Sequence, residues 1–181
     1  MAKNVAILVG LPGSGKTLAG EFFIKNHLPV VRMGDLTLTY LKKKKLIFSE
    51  KNENKARREL REKFGNDIYA VSCLDKVKKM MNKHNLVIIE GMRSPSEWQY
   101  FQKNLPKAKI IYLEADKKIR FDRLSKRQPR PLTKSEIELR EKYEVNKLQI
   151  SKLKKSADFM VKNNNDVAKF YSDLKNLSSN L

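Results

Sequence analysis

The sequence is short of cysteine, with Cys73 as the single example among 181 residues. One thiol can form neither an internal disulfide nor a multi-cysteine metal site, which indicates a reducing compartment. The longest apolar runs are far too short to cross a bilayer, and residues 1 to 4 lead directly into an apolar strand pattern without a secretory signal. We therefore expect a cytoplasmic protein that is not embedded in a membrane and in which Cys73 is a small packing residue.

Acidic residues are also scarce, with 20 Asp and Glu against 39 Lys and Arg, so the formal net charge is +19. Such an excess suits a partner that carries phosphates, whether a nucleotide or a nucleic acid. Aromatic residues are not interleaved with the basic ones, as they are in many nucleic-acid modules. Nucleic acid therefore stays a possible partner, and the lysine runs are interpreted first as solvated helix faces, at Lys42 to Lys45, Lys78-Lys79 and Lys154-Lys155.

The apolar residues are grouped in short β-branched runs that alternate with segments of helical spacing. This alternation predicts an α/β fold in which helices cover a parallel sheet. Ala6 to Val9 and Leu86 to Ile89 are apolar throughout, which is typical of central strands buried on both faces. At this length we expect one domain over residues 1–181. The predicted strands are Val5 to Val9, Val30-Val31, Leu86 to Ile89, Lys109 to Leu113 and Phe159 to Val161.

Two capping boxes mark helix starts. Ser94 to Glu97 combines a capping serine, a proline at the first helical position and a glutamate three residues after the cap, and it predicts a helix to about Asn104. Thr133 to Glu136 repeats the pattern. It predicts one long polar helix whose apolar positions are Ile137, Tyr143, Leu148 and Leu153.

Two further sequence patterns, one between these helices and one after them, predict a helix break and a last helix. The segment Gln128 to Pro131 holds two prolines, which interrupt helical structure and predict a flap. Asp166 is placed to cap a last helix. One apolar stripe of that helix is predicted to face the core, through Val167, Phe170, Tyr171, Leu174 and Leu177.

The strongest functional signal is the segment from Gly10 to Thr17, which satisfies G-x-x-x-x-G-K-[ST] between a buried strand and a predicted helix, Lys16 to Asn26. Its glycines allow backbone N–H groups to approach phosphate oxygens, and the helix N-terminus adds a positive dipole. Lys16 can reach the β- and γ-phosphates of ATP, and the Thr17 hydroxyl can coordinate Mg²⁺. The predicted nucleotide-binding residues are Gly10, Gly13, Ser14, Gly15, Lys16, Thr17 and Leu18.

Features that the sequence lacks distinguish among the classes of protein that contain such a loop. No Asp-x-x-Gly and no Thr-Lys-x-Asp signature is present, which argues against a switch GTPase. The chain is also too short for the extra domains of most motor ATPases. These absences leave a kinase as the favoured class.

An ordered set of segments resembles the P-loop nucleoside monophosphate kinase superfamily, and most narrowly its small adenylate-kinase-like or dephospho-CoA-kinase-like members, found mainly in archaea. The likeness spans almost the whole chain. It is carried by Gly10 to Thr17, Met33 to Asp35, Leu60 to Gly65, Ile89 to Ser94, Arg120 to Arg127, and Arg140 before Ala157-Asp158.

This resemblance implies a three-layer α/β/α fold with a five-stranded parallel sheet. It also implies an acceptor-binding region at about 35–65 and a lid at about 127–141. Asp35 would lie across from the phosphate loop, near Mg²⁺ or the acceptor, although it could instead cap the following helix. Glu90 stands where relatives usually have aspartate and would hold Mg²⁺ through water.

The resemblance assigns roles to five arginines. Arg93 lies where ligands bind in parallel sheets and would contact the acceptor's phosphate. Arg123 would lie by the donor base, and Arg127, on the same helix face, would meet phosphates. Arg130 and Arg140 would be lid arginines that close over the transferring group.

One departure from the family leaves the acceptor open. Leu38 stands where a nucleoside monophosphate kinase typically has an arginine for the acceptor's phosphate. Arg57, Arg58 and Arg61 could supply that charge, or they could form a solvated helix face.

We therefore expect an ATP- and Mg²⁺-dependent phosphotransferase that acts on a small acceptor, most simply a nucleotide. Transfer would depend on positioning and charge neutralisation, with Asp35 as the base if the acceptor is a hydroxyl. Two alternatives stay open: a kinase or ATPase that acts on nucleic acid, suggested by the net charge, and a nucleotide-binding regulator without catalysis, suggested by Glu90 and Leu38. The donor base and the oligomeric state are not predicted.

Overall fold

The structure is a computed structural model that describes residues 4–128 and 130–181. Residues 1–3 and Pro129, one of the two prolines of the predicted flap, lie outside the described residues. The strands are β1 (Asn4–Val9), β2 (Val30–Arg32), β3 (Leu86–Glu90), β4 (Ala108–Glu114) and β5 (Phe159–Lys162). The helices are α1 (Lys16–Lys25), α2 (Asp35–Lys43), α3 (Glu50–Phe64), α4 (Ile68–Met81), α5 (Pro95–Asn104), α6 (Lys117–Ser125), α7 (Lys134–Asn146), α8 (Lys152–Lys155) and α9 (Val167–Ser178).

All strand pairs are parallel, and the order across the sheet is β2-β3-β1-β4-β5. Strand β1 occupies the centre, where Ile7 is aligned with Ile89 of β3 and with Ile110 of β4. The predicted five-stranded parallel α/β fold is therefore confirmed. Because the strands run in one direction, the loops that follow β1, β2 and β3 all meet at one edge of the sheet.

Helices cover both faces of the sheet, and the alternation of side chains along β1 divides the core between them. Ile7 and Val9 pack into a cluster that includes Ile89 and Phe101. Leu8 points to the opposite face, into the cluster with Phe23 and Phe170. This division is why β1 is apolar at every position from Val5 to Val9.

Three helices begin at the capping residues that the sequence predicted. Ser94 Oγ accepts from the Glu97 N–H at 3.2 Å, and the Glu97 carboxylate accepts from the Ser94 N–H at 3.0 Å. The same reciprocal pattern starts α7 at Thr133, and Asp166 caps α9. Helix α6 ends at Ser125, before the prolines, so the predicted break between α6 and α7 is confirmed.

Two helix predictions were wrong in part. The helix that starts after Thr133 does not extend to Leu153, because it ends at Asn146 and the chain passes through Gln149 at φ 55 before α8. Leu148 and Leu153 are buried, but as parts of this turn and of α8. In α9 the apolar stripe begins at Phe170, since Val167 is 49% exposed.

The fold also bears on the predictions for the single cysteine and for membrane spans. Cys73 is buried in α4 as a packing residue. Across residues 4–128 and 130–181, no helix combines the length and the apolarity that a membrane span requires.

Candidate active site

The segment Gly10 to Thr17 forms the turn between β1 and α1, and the geometry of this turn requires a glycine at Gly13. Gly13 has φ 82, and a Cβ atom there would lie 2.6 Å from the carbonyl oxygen of Arg120. The loop is also held by Asn163, whose Nδ2 donates to the Ser14 carbonyl at 2.9 Å. The turn is therefore packed closely against α6 and the end of β5.

Polar groups of this loop lack the partners that a purely structural turn would provide. The Ser14 hydroxyl is buried without a hydrogen-bond partner among the described residues. The Lys16 ammonium donates to the loop's own carbonyls, Gly10 O at 2.5 Å and Leu11 O at 3.0 Å. An oriented ammonium and a buried hydroxyl without a partner are both features expected of an anion cradle.

The loop opens into a cleft of about 460 Å³ at the carboxyl ends of the strands. The structure brings twelve of the predicted site residues together in its wall, whereas Gly10 and Ser14 belong to the loop but do not line the cleft. The twelve are Gly13, Gly15, Lys16, Thr17, Leu18, Asp35, Glu90, Arg93, Arg123, Arg127, Arg130 and Arg140.

Thr17 and Glu90 lie together in the wall of the cleft. Thr17 Oγ1 donates to Glu90 Oε1 at 2.9 Å, and Arg32 Nε lies 3.4 Å from Glu90 Oε2. The latter oxygen is buried and accepts no hydrogen bond from the described residues. A hydroxyl next to a carboxylate provides the hard oxygen donors that Mg²⁺ prefers, so these residues fit the ion that such a loop implies.

Behind two arginines of the cleft wall lies a buried carboxylate that sequence reasoning missed. Glu144 of α7 lies 3.0 Å from Arg93 Nη1 and 3.3 Å from Arg140 Nε. Burial alone would raise its pKa, but Arg93 and Arg140 lower the pKa of Glu144 to about 2. The carboxylate is therefore ionised at neutral pH and holds both arginines in the cleft.

Arg93 and Arg140 also affect the pKa of Lys16. Burial lowers the pKa of its ammonium to about 8, and Arg93 and Arg140 add to the decrease, although Glu144 opposes it. Part of the Lys16 population is therefore neutral at mildly alkaline pH when no anion is bound.

Two ion pairs connect the segment 127–141 to α3. Arg130 pairs with Glu53, and Arg140 Nη1 lies 3.5 Å from Glu50 Oε1. Arg127 Nε donates to the Arg130 carbonyl at 3.0 Å, which orders the turn before α7. These contacts connect the predicted lid to the predicted acceptor region.

The interpretation of α3 as a solvated basic face was wrong for two of its three arginines. Arg57 and Arg61 are buried, and both line the cleft. Arg57 pairs with Glu50 at 2.8 Å, and burial, together with Arg93 and Arg140, lowers its pKa to about 9. Only Arg58 is exposed, where its guanidinium carbon lies 4.9 Å from the centre of the Tyr143 ring.

On the other side of the phosphate loop, Arg123 and Arg127 face the cleft from α6 and the turn that follows it. Arg123 Nη2 donates to Asn163 Oδ1 at 3.2 Å. Its Nη1 atom and Nη2 of Arg127 are buried without a hydrogen-bond partner in the described residues. Donors left free beside a phosphate loop are available to an anion.

Asp35 lines the cleft but does not cap α2. It is the first residue of that helix, Gly34 is the N-cap, and within the described part of the chain no side chain caps the turn. The Asp35 carboxylate instead lies 3.4 Å from Lys76 Nζ, and it is about half exposed. The capping alternative was therefore wrong, because the carboxylate is already inside the helix.

Sequence reasoning missed the charged and polar side chains that hold the predicted ones in place. Arg120 is buried, donates to the Pro12 carbonyl at 3.2 Å and pairs with Glu141. The signal that could have found Arg120 is its place in the motif segment that carries the resemblance. No sequence motif marks the others, and each has at least one partner that is distant in the chain, as for Glu50, Glu53, Glu144 and Asn163.

The AAA domain family matches residues 7–146 of the chain. A UPF0200 protein of Pyrococcus abyssi is 31% identical over 175 residues, which cover 94% of this chain and 93% of the relative. A UPF0200 protein of Methanocaldococcus jannaschii is 38% identical over 120 residues, or 66% of this chain. That match spans only 60% of the Methanocaldococcus protein.

Solved structures share the fold over nearly the full chain at low sequence identity. TT1252 from Thermus thermophilus superposes with a TM-score of 0.62 at 17% identity and covers 100% of this chain and 99% of its own. A dephospho-CoA kinase from Campylobacter jejuni superposes with a TM-score of 0.59 at 15% identity and covers 98% of this chain and 97% of its own. A gluconokinase from Sinorhizobium meliloti 1021 superposes with a TM-score of 0.59 at 13% identity and covers 98% of this chain and 94% of its own.

The phosphate loop on a five-stranded parallel sheet, the family match and the shared fold agree with one another. The chain therefore belongs to the AAA domain family and to the UPF0200 proteins, with the fold of a P-loop kinase.

Proposed function

We propose that the chain binds ATP with Mg²⁺ at Gly10 to Thr17 and transfers the γ-phosphoryl group to a small phosphorylated acceptor, a nucleotide being the first choice. One observation carries this proposal. The phosphate loop and its Lys16 open into a cleft whose wall holds arginines from α3, α6 and α7. Such a concentration of guanidinium groups suits a reaction in which both substrates bear phosphates.

The loop residues bind the triphosphate in this proposal. Lys16 leaves the carbonyls of Gly10 and Leu11 for the β- and γ-phosphates. The N-terminus of α1 contributes its dipole to the same oxygens. The exchange of weak internal contacts for phosphate contacts favours binding because the loop is already in place.

The arginines stabilise the charge that spreads over the transferring group. Arg123 lies nearest the donor, and Arg127, Arg130 and Arg140 close over the transferring phosphoryl from the lid at about 127–141. Arg93 acts from the end of β3 on the acceptor's side. Because Glu144 already orients Arg93 and Arg140, little reorganisation is needed during transfer.

Thr17 would hold Mg²⁺ directly and Glu90 would hold it through water. Among the described residues, no group of three or more His, Cys, Asp or Glu side chains could hold a metal ion, so water and phosphate oxygens would complete the shell. Bound there, the ion neutralises phosphate charge.

Asp35 has a role only with one class of acceptor. A phosphate acceptor is already nucleophilic, so no strong base is required. With a hydroxyl acceptor, Asp35 would accept the proton, since its carboxylate lines the cleft and is about half exposed.

The test is a screen in which labelled ATP is offered with nucleoside monophosphates, deoxynucleotides, dephospho-CoA or short oligonucleotides. We expect label to reach a small phosphorylated acceptor, and we expect Lys16→Ala to abolish transfer. Lys25→Ala removes an exposed lysine from the same helix and should leave transfer unchanged.

Other results would replace this function. Transfer only to an oligonucleotide, with salt-sensitive binding, would establish an enzyme that acts on nucleic acid. Tight ATP binding without transfer to any acceptor would establish a nucleotide-binding regulator. Full activity in Lys16→Ala would refute the role of the loop itself.

A further inference from the structure

The turn between α2 and α3 presents three consecutive apolar side chains to solvent. Leu46 is 41% exposed, Ile47 is 80% exposed and Phe48 is 51% exposed. Elsewhere in residues 4–128 and 130–181, large exposed apolar side chains occur singly along the chain. Single ones are ordinary on a protein surface, whereas adjacent ones indicate a surface that a partner covers.

Hydrogen bonds at both ends fix the backbone of this turn. The Leu46 N–H donates to the Leu41 carbonyl at 3.0 Å, and Lys45 takes the left-handed conformation, φ 54, that often ends a helix. At the other end, Asn52 Nδ2 donates to the Ile47 carbonyl at 2.9 Å. The exposure of these apolar side chains is therefore a property of an ordered turn.

Four lysines precede the apolar side chains, and their charge is not compensated. Lys42 to Lys45 are all exposed, and no carboxylate of the described residues forms an ion pair with any of them. Glu50 and Glu53, which follow the turn, are already paired with arginines. The segment 42–48 holds no acidic residue, so it combines exposed apolar surface with a formal charge of +4.

We propose that the segment 42–48 docks the protein on a membrane surface rich in anionic phospholipids. Ile47 and Phe48 enter the interfacial region, and the lysines lie at the level of the lipid phosphates. Charge and apolar insertion act together, because stable attachment to a membrane usually takes two signals. None of residues 42–48 lines the cleft, so this docking does not depend on the proposed function.

The chemistry of the segment favours lipid over other anionic partners. Proteins bind single-stranded nucleic acid largely through aromatic stacking and through arginine, whereas this segment carries lysines and two aliphatic side chains beside one aromatic ring. A groove on a partner protein binds one face of a helix or strand, but Leu46, Ile47 and Phe48 are consecutive and share no such face. A fluid interface accepts all three side chains, whatever their directions.

The first experiment measures binding of the full chain to sedimenting vesicles of phosphatidylcholine, with or without phosphatidylglycerol. We expect binding when phosphatidylglycerol is present, and weaker binding as the salt concentration rises. Ile47→Ser with Phe48→Ser should weaken this binding about tenfold or more, because it removes the inserted groups. Lys44→Gln with Lys45→Gln should weaken it about tenfold, because it removes two charges at the surface.

Matched controls separate this surface from the net charge of the whole molecule. Ile24→Ser with Val71→Ser removes two other exposed apolar side chains, and Lys78→Gln with Lys79→Gln removes two other exposed lysines. Both control proteins should bind the vesicles like wild type. No binding of wild type to phosphatidylglycerol, or equal weakening by the segment variants and their controls, would overturn the proposal.

The second experiment follows insertion directly and conserves an aromatic ring at the turn. Phe48→Trp should emit at shorter wavelength on phosphatidylglycerol vesicles and should be quenched by lipids with brominated acyl chains. The single tryptophan of the wild type, Trp98 in α5, should show neither effect. Equal quenching of both proteins, or no quenching of Phe48→Trp, would contradict insertion even if the serine variants do not fold.

Two other occupants of the surface give different results. Binding of single-stranded RNA that depends on Ile47 and Phe48, without vesicle binding, would assign the segment to nucleic acid. A dimer in sedimentation equilibrium that Ile47→Ser with Phe48→Ser abolishes, again without vesicle binding, would assign it to a second copy of the chain. Either result would replace the membrane proposal.

Discussion

At the scale of single residues, the cleft shows how surroundings change the chemistry of a side chain. Lys16 and Glu144 lie among the same arginines, with opposite results. Burial and neighbouring cations lower the pKa of the Lys16 ammonium, while those cations hold Glu144 in its charged form. The arginines around Lys16 and Glu144 therefore favour negative charge, as those of a site for phosphates should.

The pKa of Lys16 predicts that nucleotide binding takes up protons. In the free protein the ammonium is lost as the pH rises through about 8, and a bound triphosphate raises that pKa again. At pH 8 we expect uptake of about half a proton per ATP, and above it a fall in affinity approaching tenfold per pH unit. Calorimetry in two buffers with different ionisation enthalpies measures this uptake.

Lys16→Arg provides the control for that experiment, because a guanidinium keeps its proton at every pH used. The variant should bind ATP without proton uptake near pH 8. Equal uptake by both proteins would show that another group is responsible.

At the scale of elements, the phosphate loop owes its shape to packing between segments that are far apart in sequence. Gly13 lies against the backbone of α6, and Asn163 after β5 holds the Ser14 carbonyl. A loop with the right sequence therefore depends on its neighbours for the conformation that could bind a triphosphate.

Gly13→Ala is expected to disrupt this loop, whereas Gly34→Ala is not. At Gly13 the new Cβ would lie 2.6 Å from backbone oxygen in a left-handed conformation, while at Gly34 nothing lies within 4 Å. We expect Gly13→Ala to lower the free energy of unfolding by about 1–3 kcal/mol or more and to weaken ATP binding. Urea denaturation and ATP titration of both variants test this, and equal stability of the two would contradict it.

At the scale of the whole molecule, ion pairs across the cleft join three segments that are remote in the chain. Glu50 and Glu53 of α3 pair with Arg140 and Arg130, and Glu144 connects Arg140 to the end of β3 through Arg93. Removal of one partner leaves a buried charge without compensation, which usually costs about 3–5 kcal/mol.

Glu144→Gln should therefore destabilise the protein at neutral pH, and the effect should depend on pH. The folded pKa of Glu144 is lowered from 4.5 to about 2. Its stabilisation is thus fully present above about pH 4.5 and is lost as the pH falls towards 2. The temperature of thermal unfolding should therefore be much lower for Glu144→Gln than for wild type at pH 7, and the difference should be much smaller at pH 3.

Glu138→Gln changes an exposed glutamate on the same helix and is the matched control. It should keep wild-type stability at both pH values. A pH-independent difference between wild type and Glu144→Gln would show that packing, and not charge, explains the loss.

Much of the architecture could be predicted from local patterns, because local energetics decide it. The continuous apolarity of Val5 to Val9 indicated a strand buried on both faces, and the capping boxes at Ser94 and Thr133 placed helix starts where the structure has them. The end of α7 could not be predicted, since the turn at Gln149 has no glycine or proline to mark it.

The sequence by itself determined the motif from Gly10 to Thr17 and the alternation of strands and helices around it, because these follow from neighbours in the chain, and the family resemblance pointed to the arginines of the cleft wall. Only the tertiary structure decided that Arg57 and Arg61 turn inward and that Glu144 lies between Arg93 and Arg140. The physical reason is that burial and charge pairing depend on distances between segments as far apart as α3, α5 and α7. A one-dimensional pattern does not contain those distances.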